Sequence, residues 1–141
     1  MNRNENSVLL ARVAPLILLL TSACSVADLV AESEREADRA VAALCDACIA
    51  SEAERDECEA DFAWRPYEDA ECVVEALDID KQRSRETLEC VLEVQRDYTA
   101  CMKHEFMCDP DSYAACEELK DEIRDCPELP PSVVEALLRC R

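Results

Sequence analysis

Apolar residues recur along this chain with the spacing of an α-helix. Between residues 26 and 50 they follow one another at intervals of three, four and seven, which predicts one amphipathic helix. Its apolar stripe consists of Val30, Ala37, Val41, Leu44 and Cys48. Its opposite, charged face consists of Glu32, Glu34, Arg35, Glu36 and Arg39. A helix with one apolar face packs that face against other elements.

The same periodicity predicts helices over residues 66–77, 84–106, 112–125 and 132–140, separated by polar or proline-containing segments. Asp111 is the expected N-cap of the third of these helices, and Ser132 with Glu135 forms a capping-box pattern before the last. Ser51 and Glu54 form a similar pattern, which favours a new helix from about residue 52. The apolar stripe also continues to about residue 63, so one long helix is the alternative.

Two residue types that favour tight turns are almost absent from the 141 residues. There is no glycine, and asparagine occurs only at positions 2 and 4. These residues tolerate the positive φ that short β-hairpins require. The sequence therefore predicts an all-α fold, an antiparallel helical bundle or set of hairpins with about five helices.

Two patterns indicate an internal repeat. The spacing Cys48-x9-Cys58-x13-Cys72 recurs 68 residues later, at Cys116, Cys126 and Cys140. The pentapeptide "VVEAL" occurs at 73 and again at 133, an offset of 60, which is out of register with the cysteines. A duplication of this kind predicts two similar helical hairpins stacked together.

The first 23 residues have the pattern of a signal peptide. Arg3 and Arg12 precede the apolar run "VAPLILLLTSA", which ends in small residues. That run is too short to cross a bilayer, which takes roughly 20 apolar residues. We therefore expect a signal peptide over 1–23 and a single cysteine-rich domain over 24–141.

The segment "LTSAC" at residues 20–24 resembles the lipobox of bacterial lipoproteins. The resemblance covers residues 1–25 and implies cleavage after Ala23 and a lipid on Cys24, which would anchor the chain to the membrane. Ser25, where aspartate would favour inner-membrane retention, implies sorting to the outer membrane. Ordinary signal cleavage after Ala23, with a secreted soluble product, is the alternative. The mature domain carries no pattern of a functional family.

The cysteine count agrees with a disulfide scaffold. Eleven cysteines become ten when Cys24 is set aside, and an even number of this density in an exported chain predicts five bridges. The ten are Cys45, Cys48, Cys58, Cys72, Cys90, Cys101, Cys108, Cys116, Cys126 and Cys140.

Antiparallel helices joined by a short turn place residues opposite each other when both lie equally far from that turn. The "CDPDS" turn at 108–112 therefore predicts a Cys101–Cys116 bridge. The proline turn near residue 66 predicts Cys58–Cys72 in the same way.

The partner of Cys126 stays open. Symmetry about the 108–112 turn pairs it with Cys90, whereas the 68-residue repeat, taken together with Cys58–Cys72, pairs it with Cys140.

Three other kinds of chemistry have partial patterns. Cys45 and Cys48 form a C-x-x-C, the basis of an alternative function as a thiol-disulfide oxidoreductase. Cys101, His104 and Cys108 have spacing that could bind zinc, a metal-binding alternative. Residues 78–89 place acidic groups as in a calcium loop, but Arg83 stands where that loop needs glycine. We expect no cofactor and no catalytic residue.

The chain is strongly acidic, with a formal net charge of −18. Such a surface repels nucleic acid, so nucleic acid is not an expected partner. The aromatic residues Phe62, Trp64 and Tyr67 cluster near one turn, as a plug for a hairpin end or an anchor for a protein partner. The expected function is that of an envelope-anchored binding or structural module, with an unidentified protein partner possible.

Overall fold

The structure is a computed structural model that describes residues 24–63 and 69–140. Every regular element in these ranges is helical, which confirms the all-α prediction. The α-helices are α1 (Val26–Cys48), α2 (Glu52–Phe62), α3 (Ala70–Leu77), α4 (Lys81–His104), α5 (Pro110–Glu118) and α6 (Pro131–Leu138). Two 3-10 helices, Asp78–Asp80 and Leu119–Asp125, precede α4 and follow α5. The predicted signal peptide over 1–23 lies outside the described residues.

Side-chain caps explain where the first two helices begin. Ser25 accepts a hydrogen bond from the backbone N–H of Asp28, and the Asp28 carboxylate accepts one from the Ser25 N–H, which completes a capping box. Ser51 accepts from the Glu54 N–H at 3.4 Å, so a new helix starts at Glu52. The chain therefore breaks between α1 and α2, as the Ser51 pattern predicted.

Four later helix starts differ from the prediction. Helix α3 begins at Ala70 with Asp69 as its cap, whereas the predicted start was at 66. Asp109 caps α5 in place of Asp111, because Pro110 suits the first helical position, where no N–H is needed. Ser132 caps nothing, since α6 already begins at Pro131. Asp80 caps α4 through the Arg83 N–H, so α4 begins three residues before the predicted start at 84.

Helices α1 and α4 form the centre of the molecule and run in the same direction. Ser33 hydrogen-bonds Gln95 at 2.8 Å, and Thr99 donates to the carbonyl of Glu36 at 3.4 Å, so position along one helix rises with position along the other. The neighbouring pairs α1–α2, α4–α5 and α3–α6 are antiparallel, in agreement with the positions of their disulfides. The predicted antiparallel hairpins are thus attached to a parallel central pair.

The order of elements repeats once along the chain. A long helix, a short helix and a helix containing "VVEAL" occur as α1–α2–α3 and again as α4–α5–α6. The two copies of "VVEAL" lie in the equivalent helices α3 and α6, whereas the 68-residue cysteine offset does not match this order. Cys48 ends α1 whereas Cys116 lies within α5, so the cysteine spacing does not mark equivalent positions.

Two apolar clusters lie at opposite ends of α1. The first joins the start of α1 to the α3–α6 pair, and its buried residues are Val26, Val73, Ala76, Leu77, Val133, Ala136 and Cys140. The second joins the last turns of α1 and α4 to α5, around Cys101, Met102 and Cys116. The two clusters are separated along α1 by polar contacts with α4.

Most of the buried residues of α1 lie one position before those of the predicted stripe, which places the buried face to one side of it. Cys48, at the end of that stripe, is exposed, whereas Glu36, placed on the charged face, is only 5% exposed. Glu36 tolerates burial because Arg39, one turn further along α1, forms an ion pair with its carboxylate.

Five disulfides link the helices, with Cα–Cα distances of 5.1 to 5.9 Å. They join Cys45–Cys58, Cys48–Cys108, Cys72–Cys140, Cys90–Cys126 and Cys101–Cys116. The predicted Cys101–Cys116 bridge is present. Of the two alternatives for Cys126, the structure has the pairing with Cys90, which is symmetric about the same 108–112 turn.

The predicted Cys58–Cys72 bridge is wrong. The turn at 49–51 folds α2 back along α1, so Cys58 meets Cys45. Cys72 lies at the start of α3, which packs antiparallel on α6 and therefore meets Cys140 beyond the end of α6.

Candidate functional site

Cys24 stands at the start of the folded domain. It is exposed, and among the described residues, which include all eleven cysteines, it alone has no disulfide partner. Ser25 caps α1 immediately after it, so no flexible linker separates Cys24 from the helix. A group attached to the Cys24 sulfur would therefore be held within one residue of a rigid element.

The C-x-x-C pattern does not form a local disulfide. Cys45 is fully buried in its bridge with Cys58, and Cys48 bonds Cys108 on another segment. The structure uses the two cysteines to attach two different elements to α1.

The predicted zinc ligands are divided between two bridges. Cys101 bonds Cys116 and Cys108 bonds Cys48, which leaves the exposed His104 as the one nitrogen ligand of that set. Sulfur in a disulfide is not the thiolate that zinc requires. Within 24–63 and 69–140, no group of three or more histidine, cysteine or acidic side chains is arranged to hold a metal ion.

The residues predicted as a weak calcium loop have a structural use. Asp78–Asp80 is a 3-10 turn, and Asp80 is occupied in capping α4. Lys81 lies 3.8 Å from Asp78, so a cation of the chain already faces this carboxylate.

The aromatic residues are distributed over two places. Phe62 is 57% exposed at the end of α2, and Trp64 and Tyr67 lie outside the described residues. Phe106 and Tyr113 pack edge to face across the α4–α5 turn, with ring centroids 6.0 Å apart. The aromatic contact in the described structure therefore closes the α4–α5 hairpin.

A cleft of about 390 Å³ opens between α1, α4 and the second 3-10 helix. Its walls are mostly apolar. The lining residues are Glu36, Ala37, Ala40, Val94, Gln95, Tyr98, Thr99, Lys120 and Ile123. This volume lies within the range of small-molecule sites in proteins.

A polar cluster of Tyr98, Glu117 and Lys120 borders this cleft. Glu117 accepts hydrogen bonds from the Tyr98 hydroxyl at 2.9 Å and from Lys120 at 2.6 Å, and the Lys120 ammonium lies 4.2 Å from the Tyr98 ring centroid. Burial raises the pKa of the Glu117 carboxyl, but hydrogen bonds from Lys120, Tyr98 and Tyr113 outweigh it and hold that pKa below its ordinary value of 4.5. Burial, and then the bond to Glu117, raise the pKa of Tyr98.

The charges around the cleft compensate each other. Glu36 pairs with Arg39, and Lys120 pairs with Glu117, so neither wall presents an uncompensated ion. The cleft is therefore suited to an apolar group of small size. The sequence did not reveal it, because its walls come from three distant segments and none of its residues forms a local motif.

A second, shallower groove of about 500 Å³ follows α2 beside the end of α1. Glu54, Glu57 and Asp61 form its acidic side, and Phe62 closes one end. These side chains lie on one face of α2, since they are three and four residues apart.

Comparisons of the chain with models of protein families, with curated proteins and with solved structures found no match. Among the described residues, no helix combines the length and apolar character needed to cross a membrane.

Proposed function

We propose that the chain is exported and anchored to the bacterial envelope through a lipid on Cys24, and that residues 24–141 act there as a small binding or structural module. The observation that carries this proposal is the state of Cys24. Ten cysteines of the described structure are consumed in five bridges, and the one that remains follows the "LTSA" segment.

The disulfides support an exported location. Five bridges in a chain of this size persist in oxidising compartments and are rare in the cytosol. The long-range bridge Cys72–Cys140 closes a segment of 68 residues at the apolar α3–α6 cluster, so its reduction would remove a cross-link on which a small, aromatic-poor core depends.

The start of α1 suits an anchored protein. Lipid chains on Cys24 would contribute about 0.8 kcal/mol for each buried methylene group. The capped helix then fixes the domain close to the membrane, because Ser25 is the only residue between Cys24 and α1.

Two features favour a binding role over a catalytic one: the cleft beside Tyr98 and the acidic exterior. The cleft beside Tyr98 offers apolar walls and compensated charges, which favour shape recognition of a small apolar group. The acidic exterior favours a partner that is not itself strongly acidic.

Mass spectrometry of the mature protein tests the anchor. The expected product begins at Cys24, carries acyl groups on that residue, lacks ten hydrogens because of five bridges, and sediments with membranes. Cys24→Ala should release the protein from the membrane fraction. A water-soluble wild-type product with an unmodified Cys24 would contradict lipidation and favour ordinary secretion.

The outer-membrane location has a separate test. Ser25→Asp changes the sorting residue but keeps a good N-cap, since aspartate caps helices as well as serine. We expect the variant to remain folded and lipidated and to move to the inner membrane. An unchanged distribution between the two membranes would contradict sorting by Ser25.

A further inference from the structure

One disulfide differs from the other four in its exposure. Cys48 and Cys108 are both exposed, whereas each of the other described bridges contains at least one buried cysteine. A thiolate must reach a sulfur atom along the S–S axis to cleave it, so access is a first condition for exchange. The Cys48–Cys108 bridge meets that condition in the folded state.

The backbone at Cys108 is also unusual. Its φ is 54°, in the left-handed region, and no other non-glycine residue of the described ranges has a positive φ. This conformation costs a residue with a Cβ about 1–2 kcal/mol, and such positions often occur at sites that switch. The turn is held by the bridge itself and by a hydrogen bond from the Met107 N–H to Ser112.

Opening this bridge leaves both of the hairpins that it joins closed by a disulfide of their own. Cys45–Cys58 still attaches α2 to α1, and Cys101–Cys116 still closes the α4–α5 hairpin. Cys48 and Cys108 therefore join two segments that are each secured by another disulfide a few residues away. Cleavage should loosen the turn before α5 without unfolding the domain.

We infer that Cys48–Cys108 is a thiol–disulfide exchange site, opened by an extracytoplasmic dithiol reductant and closed again by an oxidant of disulfide type. One thiolate of the dithiol attacks a sulfur of the bridge and forms a mixed disulfide, and the other sulfur leaves as a thiolate and takes up a proton. The second thiol of the dithiol then attacks the mixed disulfide. The bridge gains two electrons and two protons, and the reductant leaves as a disulfide.

This role differs from that of an oxidoreductase, in which Cys45 and Cys48 of the C-x-x-C pattern would form and exchange a disulfide with each other. Cys45 is fully buried and keeps its bridge to Cys58, so it is not positioned to resolve an attack at Cys48. The chain acts as the substrate of exchange, and the inference does not depend on the lipid at Cys24.

Partial reduction of the native, fully oxidised protein tests the inference. Dithiothreitol is added in increasing amounts, free thiols are alkylated at intervals, and the labelled peptides are mapped without further reduction. We expect Cys48 and Cys108 to be labelled together, about tenfold or more before any other pair, because exposed bridges exchange fastest. The helical circular dichroism should stay unchanged during this first phase.

A trapping experiment addresses the partner. A thioredoxin-type dithiol protein whose second active-site cysteine is replaced by serine should form a stable mixed disulfide with Cys48 or Cys108. The double variant Cys48→Ser/Cys108→Ser should lose both the fast phase and the trapped complex. The matched control, Cys90→Ser/Cys126→Ser, should retain them.

Two results would overturn the inference. One is the earlier reduction of a different bridge, or the opening of all five together with loss of helix. The other is the absence of any trapped complex with the native protein. Both readouts use the wild-type chain, so they remain decisive even if a cysteine variant fails to fold.

Discussion

Serine precedes or begins three of the helical segments, but its role depends on the residue beside it. Ser25 and Ser51 cap α1 and α2, because each is followed by residues with free backbone N–H groups. Ser132 follows Pro131, which already occupies the first helical position and needs no donor, so this serine lies inside α6. Proline therefore moved the helix start away from Asp111 and Ser132, whereas the capping pattern at Ser51 identified the start of α2 correctly. The caps Asp69 and Asp80 were not predicted, and no proline accounts for Asp80.

Replacing Ser25 with alanine should lower the free energy of unfolding by about 1 kcal/mol, because the Asp28 backbone N–H loses its acceptor, the Ser25 hydroxyl. Urea denaturation of the oxidised protein measures this change. Ser132→Ala is the matched control and should change the free energy by less than about 0.5 kcal/mol, since exposed side chains without a cap contribute little. Equal effects of the two substitutions would contradict the capping assignment.

Burial of charge was the residue-scale feature that periodicity could not predict. Glu36 belongs to the charged face of α1 in the sequence pattern, yet it is buried against α4. Whether a row of a helix is buried depends on where its neighbour packs. The neighbour here, α4, begins 45 residues after Glu36, so no local pattern could reveal the contact.

Helices α3 and α6 pack against each other through the same pentapeptide. In both copies of "VVEAL" the first and fourth residues are buried: Val73 and Ala76 in α3, Val133 and Ala136 in α6. The pair is antiparallel, and Cys72–Cys140 closes one end of it. The two helices therefore contribute the same apolar pattern to the interface between them, one copy from each side.

This pair also explains which disulfides could be predicted. Cys101–Cys116 follows from distance to one local turn, and that information is present in the sequence. Cys72–Cys140 depends on the docking of α3 on α6, which brings together two cysteines that are 68 residues apart. Periodicity indicates that each helix has an apolar face but does not specify the partner that covers it.

The two adjacent valines of α6 provide a matched test of this interface. Val133 is fully buried and Val134 is 42% exposed. Val133→Ala removes two buried methyl groups and should lower the free energy of unfolding by about 2 kcal/mol. Val134→Ala alters the same helix propensity and should cost less than about 0.5 kcal/mol. Chemical denaturation under non-reducing conditions compares them, and a larger effect of Val134→Ala would contradict the packing described for α6.

At the scale of the molecule, α1 connects two ends with different chemistry. Cys24 and the α3–α6 cluster lie at its start, and the exposed Cys48–Cys108 bridge lies at its end. The rise of an α-helix places these ends about 34 Å apart. A membrane anchor and an exchange site at opposite ends would not obstruct each other.

The acidic surface determines how the whole molecule responds to salt. Residues 24–141 contain 32 acidic and 13 basic residues. Most ion pairs of the described structure join residues three or four positions apart on one helix, so they do little to hold helices together. Repulsion between like charges on different helices is therefore the larger electrostatic effect on folding.

Added salt should stabilise the protein, because it screens this repulsion. Raising sodium chloride from about 10 mM to 150 mM shortens the Debye length from about 30 Å to about 8 Å, which screens interactions between exposed charges that lie farther apart than this. We expect the melting temperature of the oxidised protein to rise by a few degrees, which corresponds to about 1 kcal/mol in the free energy of unfolding for a domain of this size.

The double variant Glu57→Gln/Asp61→Asn removes two exposed charges of α2 that form no ion pair within the described ranges. It should be more stable than the wild type at low salt and should respond less to salt. A melting temperature that falls as salt is added would mean that attraction within ion pairs exceeds the repulsion between helices, and would contradict this account of the acidic surface.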